Sequence, residues 1–274
     1  MVKTKTIWVE RFGKVERVTH ALLIVSFLGL AATGLPLLFS HTAWARTLAH
    51  ALGGFQMAGW VHRMCAVVLI GIFAVHVGRI LRRLIVDKEY GILWGPDSMV
   101  PQPRDVAQIV QHFRFFMGFG PRPRFDHFTY WEKFDYWAVF WGMFIIGGSG
   151  LMLWFPTFFS LFLPGWLLNI ALLIHGEEAL LATGFIFTIH FFNENFRPAR
   201  FPMNTVMFSG RETLEEIEHT RPAEYERLRA AGSLESLDSG PPTVFALRWG
   251  RSFGAVALTI GVGLLILILL AVFS

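Results

Sequence analysis

Five of the ten histidines, His20, His62, His76, His175 and His190, fall inside or at the edge of long apolar runs. An ionisable side chain in such a run is expensive to bury and marks a functional position by default. Neutral imidazole is an iron ligand at physiological pH, and its second ring nitrogen can be held by a carbonyl or polar side chain that fixes the ring. His62 and His76 are 14 residues apart, and His175 and His190 are 15 apart. On an α-helix these steps cover roughly 21–23 Å and return to within about 40° and about 60° of the starting azimuth. Each pair therefore lies on one helix face, with one imidazole toward each end. A zinc or copper ion needs its ligands within a few ångströms of one another, which the separation within each pair excludes. Two imidazoles facing each other at one depth fit the iron of a haem instead, and two such levels would carry electrons along the helices. The remaining five, His41, His50, His112, His127 and His219, lie in loops or near the ends of the runs and read as surface residues.

The elements that hold these histidines are written in the hydropathy. The chain has 274 residues, of which 54% are hydrophobic and only 16% charged, with a mean hydropathy of +0.49. Soluble domains carry about 25% charged residues, so this composition, with its long apolar runs, belongs to the membrane class. Five spans are predicted, at residues 18–39, 55–80, 134–155, 167–192 and 246–273. The expected fold is an all-α transmembrane bundle: a four-helix haem-binding core plus a fifth, C-terminal helix. Before span I, between I and II, from Arg79 to Lys133, between III and IV, and from Arg197 to Arg251, the basic residues number 5, 1, 9, 0 and 8. Basic loops stay cytoplasmic, so the N-terminus is expected inside and the C-terminus outside. Spans II and IV then both run inward, setting His62 level with His175 and His76 level with His190. His20 sits near the inner end of span I. Either His20 or His76 pairs with His190, or a third haem is present.

Domain organisation follows the same pattern. Residues 1–200 form the core, with a Pro- and aromatic-rich cytoplasmic loop at 81–130. Residues 201–245 form a charged segment with helical character and a linker, and 246–274 the last span. No internal repeat is evident. The first 16 residues are polar and do not read as a cleavable signal. The net charge of +4 and pI near 9.5 come from residues at the span ends, not from a nucleic-acid surface. The sole cysteine, Cys65, excludes a disulfide framework and cysteine-ligated iron–sulfur clusters. No C-x-x-C-H occurs, so covalent c-type haem is also excluded.

Other residues suit the same chemistry. Gly142, Gly147, Gly148, Ser149 and Gly150 on span III, with Gly59 and Gly71 on span II, give either clearance for a flat ring or close helix packing. Glu177 and Glu178 lie within a turn of His175. Glu178 is the better candidate for relaying protons, for holding the His175 ring, or for partnering a cation such as Arg63 beside a haem propionate.

The chain resembles the di-haem membrane cytochrome b subunits of bacterial formate dehydrogenase (gamma subunit) and nickel–iron hydrogenase. The resemblance covers roughly residues 11–200 and rests on Arg17-Val-Thr-His20, Val61-His62, Leu173-Ile-His175 and Ile189-His190. It implies that His62 and His175 bind an outer haem, and His20 and His190 an inner one. His76 and the 15-residue spacing on span IV depart from that pattern. The chain is more similar still to b cytochromes found beside multihaem c-type cytochromes. That likeness rests on His62-Arg63 with His76 on span II, Tyr130-Trp-Glu-Lys133 opening span III, and Phe201-Pro-Met203 after span IV. In this family a quinone pocket lies at the inner start of span III, which Glu132 and Lys133 occupy here. A carboxylate and an amine there could deliver protons and polarise a quinone carbonyl; the plainer alternative is a rim salt bridge with Asp135 or Arg124.

The resemblance implies an electron-transfer subunit of a respiratory complex in a bacterial inner membrane. It would hold two or three b haems and link an outer-face redox subunit, an iron–sulfur protein or a multihaem cytochrome c, to menaquinone or ubiquinone. The competing expectations are a haem-containing reductase without a quinone site and a haem-free membrane anchor or transporter.

Overall fold

The structure is a computed structural model that describes residues 6–198, 200–232 and 234–273; Lys3 and Lys5 of the N-terminal basic cluster lie outside them. Its elements in order are β1 (Trp8–Glu10), α1 (Lys14–Leu38), α2 (Ala43–Ala51), α3 (Phe55–Ile85), α4 (Pro103–Phe116) and α5 (Tyr130–Gly142). Then come α6 (Gly148–Trp154), α7 (Pro156–Phe159), α8 (Gly165–Phe185), α9 (Val206–Ser209), β2 (Arg211–Thr213), α10 (Leu214–Thr220), α11 (Pro222–Ala230) and α12 (Val244–Phe273). A π turn at Met143–Gly147 joins α5 to α6, and two more, Ile186–His190 and Phe192–Phe196, extend α8. Five helical runs are long and apolar enough to cross a membrane: Lys14–Leu38, Phe55–Ile85, Tyr130–Trp154, Gly165–Phe196 and Val244–Phe273. The chain is a multi-pass, all-α membrane protein. Large apolar side chains such as Met64, Phe144 and Leu181 stand more than half exposed along the spans, where lipid would cover them.

The chain divides into two compact units. The first comprises Val18–His76, Val139–Asn204 and Arg248–Ser274, and so holds most of the spans. Its apolar core gathers Ala31 and Leu35 of α1, Phe187 and Phe191 after α8, and Leu264 and Ile268 of α12. Small residues make that packing possible. Gly250, Gly254, Ala257 and Gly261 lie on the buried face of α12, and a Cβ on Gly261 would come within 2.6 Å of the Phe191 ring. Without a strong hydrophobic drive between helices in lipid, close approach over small residues is what associates them.

The second unit comprises Met1–Arg17, Val77–Ala138 and Thr205–Leu247. It unites the N-terminal stretch, the 81–130 loop and the 201–245 segment, which the sequence presents as separate pieces. β1 and β2 pair antiparallel, with Val9 opposite Glu212. Gly210 precedes β2 at φ 77°, and a Cβ there would strike the Phe12 carbonyl oxygen at 2.5 Å. Buried ion pairs fill the interior. Arg221 binds Glu212 and Glu224, and Lys133 binds Asp105, with all five side chains at most 7% exposed.

Candidate functional site

His62 of α3 and His175 of α8 face each other with ring centres 6.2 Å apart and planes inclined at 76°. Each is held by the neighbouring helix in the same way. Thr33 of α1 donates its hydroxyl hydrogen to the Gly29 carbonyl at 2.6 Å, which leaves Oγ1 to accept from Nδ1–H of His62 at 3.1 Å. Leu30, three residues before Thr33, offers its carbonyl to the same ring. On span III, Ser149 donates to the Ile145 carbonyl at 2.6 Å, and His175 Nδ1 donates to the Ile146 carbonyl at 2.9 Å, with Ser149 Oγ at 3.3 Å. A carbonyl can only accept, so the His175 ring carries its proton on Nδ1, and the Thr33 hydroxyl, already donated to Gly29, calls for the same tautomer at His62. Neither Nε2 has a hydrogen-bond partner among the described residues. The residue after each hydroxyl is a glycine. A Cβ on Gly34 would stand 3.0 Å from His62 Cε1, and one on Gly150 would stand 2.9 Å from His175 Cε1. The two half-sites are thus built alike: a carbonyl, a hydroxyl three residues on, then a glycine notch into which a histidine from the next span leans. This repeat escapes a reading that seeks whole-segment similarity. The signals that carry it, Thr33-Gly34 and Ser149-Gly150, are two residues each.

The fit to a haem iron can be tested on this geometry. An imidazole nitrogen lies about 2 Å from a metal it binds, so two axial imidazoles on one iron hold their ring centres roughly 6 Å apart. The 6.2 Å separation, the unengaged Nε2 atoms and the Nδ1 anchors meet that requirement, and the anchors are the outer-shell contacts that fix tautomer and orientation in histidine-ligated metals. The described residues contain no group of three or more His, Cys, Asp or Glu side chains able to hold a metal ion by themselves.

The other histidines of the spans are arranged less symmetrically. His190 lies within electrostatic range of His20, so the structure brings this pair together at the end of the bundle where span I begins. His20 Nδ1 is buried and makes no hydrogen bond. His76 lies edge-on to Phe140, with ring centres 6.1 Å apart. Arg63 is set among aromatic rings, its guanidinium 5.6 Å from the Trp60 ring centre and 5.8 Å from that of Trp154. Glu178 does not hold the His175 ring. It accepts a hydrogen bond from Trp141 Nε1 at 3.3 Å, while Glu177 is exposed on α8. Among the glycines singled out in the sequence, Gly150 alone touches a histidine; an added Cβ at Gly59, Gly71 or Gly148 would meet open space.

Glu132 and Lys133 belong to the second unit, and both are engaged there. Glu132 caps span III, accepting from Thr129 N and Oγ1 at 2.7 Å in a capping box, and also pairs with Arg11 at 3.0 Å. Lys133 is 1% exposed and its ammonium donates to both oxygens of Asp105, at 3.0 and 2.9 Å. The partners are Arg11 and Asp105, not Asp135 or Arg124. Two loop histidines are also not surface residues. His112 is buried, stacks on Phe116 at 4.5 Å and bonds to the Tyr130 hydroxyl at 2.9 Å. His127 pairs with Glu224. Burial opposes the charge on Glu224, but the His127 hydrogen bond and the Arg221 charge outweigh it and hold the carboxyl at about 2. Arg221 is driven the other way: burial works against its charge, yet Glu212 and Glu224 keep it protonated above the ordinary guanidinium range.

No protein-family model matches the chain, and no curated protein matches its sequence.

Proposed function

We propose that the chain is a membrane b-type cytochrome subunit that carries electrons across the bilayer between a redox partner on one face and the menaquinone or ubiquinone pool. The observation that carries this reading is the His62–His175 pair, with its ring separation, shared tautomer and two glycine notches. A haem held by these two residues supplies one-electron redox chemistry at that level. The chain's own side chains do the positioning. Thr33 and the Ile146 carbonyl hold each Nδ1–H and so direct Nε2, while Gly34 and Gly150 keep room for the rings. His20 and His190 are the residues proposed for a second haem, because His20 has a buried nitrogen without a partner and His190 as its neighbour. His76 is kept for a third. Arg63 is the cation one residue from His62 and is assigned to a haem carboxylate, and Glu178 to proton exchange. Glu132 and Lys133 contact quinone only if their present ion pairs open.

The alternation of basic residues favours a cytoplasmic N-terminus in a bacterial inner membrane. The redox partner, an iron–sulfur protein or multihaem cytochrome c, would then dock at the outer face, on the side of His62 and His175. The test is spectroscopic. Purified chain is expected to yield two or three acid-acetone-extractable haems in a pyridine haemochrome measurement. His62→Ala and His175→Ala should each remove the same component of the reduced-minus-oxidised spectrum. Absence of haem, or loss of different components in the two variants, overturns the reading.

A further inference from the structure

Helix α4 lies outside the spans, yet it turns apolar side chains outward. Val106, Val110 and Phe113, with Met117 at its C-cap, are 55–67% exposed. At 100° per residue these four fall within about 60° of arc, so they form one stripe. The opposite side is where the helix is fastened. Asp105 and His112 are buried, the first bound to Lys133 and the second to the Tyr130 hydroxyl. Tyr130 and Lys133 are the first and fourth residues of span III. The helix is therefore tied at two points along its length to the first turn of a membrane span, which sets it beside the start of that span. Its composition suits that place. Arg114 is exposed on the flank of the stripe, about 40° of helix from Val110. The segment from Arg79 to Lys133 carries nine basic residues against six acidic ones. An amphipathic helix with aromatic residues on one side and basic residues beside them lies in the interface plane, held by apolar burial and by attraction to anionic headgroups.

We infer that α4 is an interfacial helix whose Val106–Val110–Phe113–Met117 stripe is sunk into the leaflet at which span III begins, with Arg114 at an anionic lipid headgroup. The occupant is a lipid surface rather than a protein, because the helix is fastened beside the first turn of a membrane span and carries the exposed Arg114 on the flank of its apolar stripe. The inference rests on the spans and is independent of the haem reading.

The test uses the full chain with Cys65→Ala, carrying Val110→Cys or Phe113→Cys labelled with an environment-sensitive fluorophore. The protein is reconstituted in nanodiscs of phosphatidylethanolamine and phosphatidylglycerol. Glu218→Cys, on the exposed side of α10, serves as the water-facing control. Both α4 labels are expected to be quenched by nitroxide-labelled lipid and shielded from aqueous iodide, with a lipid-to-iodide quenching ratio severalfold above that of the control. Iodide quenching equal to the control overturns the inference. So does shielding from both quenchers, which would mean that a second copy or another protein covers the stripe.

Discussion

The buried ion pairs of the second unit and the span histidines of the first treat their polar atoms in opposite ways. In the second unit these ion pairs are closed. Arg221 is bound on both sides by Glu212 and Glu224, Glu224 is bound again by His127, and Lys133 uses both oxygens of Asp105. In the first unit three of the span histidines are half answered. His62 and His175 have one ring nitrogen satisfied and the other left over, and His20 has a buried nitrogen with nothing to bind. A closed set of ion pairs holds a shape and has no valence left for a ligand. An imidazole tied at Nδ1 with Nε2 unbonded keeps a lone pair for a ligand role, which is the role proposed for it above. On that proposal the difference separates residues that build the protein from residues that act, although both kinds are buried and titratable.

The comparison is broken most directly at Arg221. Arg221→Ala leaves Glu212 as a buried, uncompensated carboxylate and Glu224 with His127 alone, which should cost about 3–5 kcal/mol. Limited proteolysis should then cut the 205–247 segment, whereas His62→Ala, which loses a spectral component, should leave that segment resistant. The same closed set responds to acid. Glu224 has its folded value depressed to about 2, so it contributes stability above the ordinary carboxylate range, and that stability is lost as pH falls toward about 2. Thermal unfolding followed at a series of pH values should show the protease-resistant segment weakening across that window; Glu224→Gln should flatten the dependence.

Lys133 sharpens the comparison, because the sequence suggests chemistry and the structure supplies a closed pair. Lys133→Met alone should destabilise by about 3 kcal/mol, and Lys133→Met with Asp105→Leu should recover most of it. If the stable double variant still loses quinone turnover, Lys133 has a chemical part beyond the pair. A smaller effect is expected at the notches. Gly34→Val or Gly150→Val pushes a methyl group into the facing imidazole, an overpacking worth about 1–3 kcal/mol, and should lower occupancy of the His62–His175 haem while the other spectral components persist. Thr33→Val should do least. It removes one hydrogen bond of about 1 kcal/mol and should shift the midpoint potential of that component without emptying the site.

The spans were legible because twenty apolar residues have few other uses. All five were placed within a few residues at most ends, and the misses have reasons. Helix α3 continues past the apolar run to Ile85 because Arg79, Arg82 and Arg83 are good helix formers that reach into the polar side. Span III starts early, at Tyr130, because Thr129 and Glu132 cap it there. The His62–His175 level was legible from helix geometry and the parallel run of spans II and IV. The partners of Lys133 and His127 were not, because Asp105 and Glu224 are distant in sequence. Asp135, two residues from Lys133, points away on a helix. The anchors of the ligand histidines were missed because a hydroxyl next to a glycine is common in any membrane helix and gains meaning only when a ring from another span arrives beside it.

The π turn at Ile186–His190 bears on how the two histidine-bearing spans can be aligned. A π turn is an α-helix that has absorbed one extra residue. The 15-residue interval on span IV, less that residue, is equivalent to the 14-residue interval of the regular helix α3. Allowing for that residue, the two spans would present their histidine pairs at matching azimuths despite unequal spacing, and a gapless alignment of one half of the bundle on the other would slip by one position between His175 and His190. Deleting a residue inside the turn should be absorbed as ordinary α-helix. The same deletion in the regular stretch of α8 between His175 and the turn would rotate one histidine past the other by about 100°. Length variation among evolutionary relatives would then be tolerated at this turn more readily than in the regular helix between it and His175.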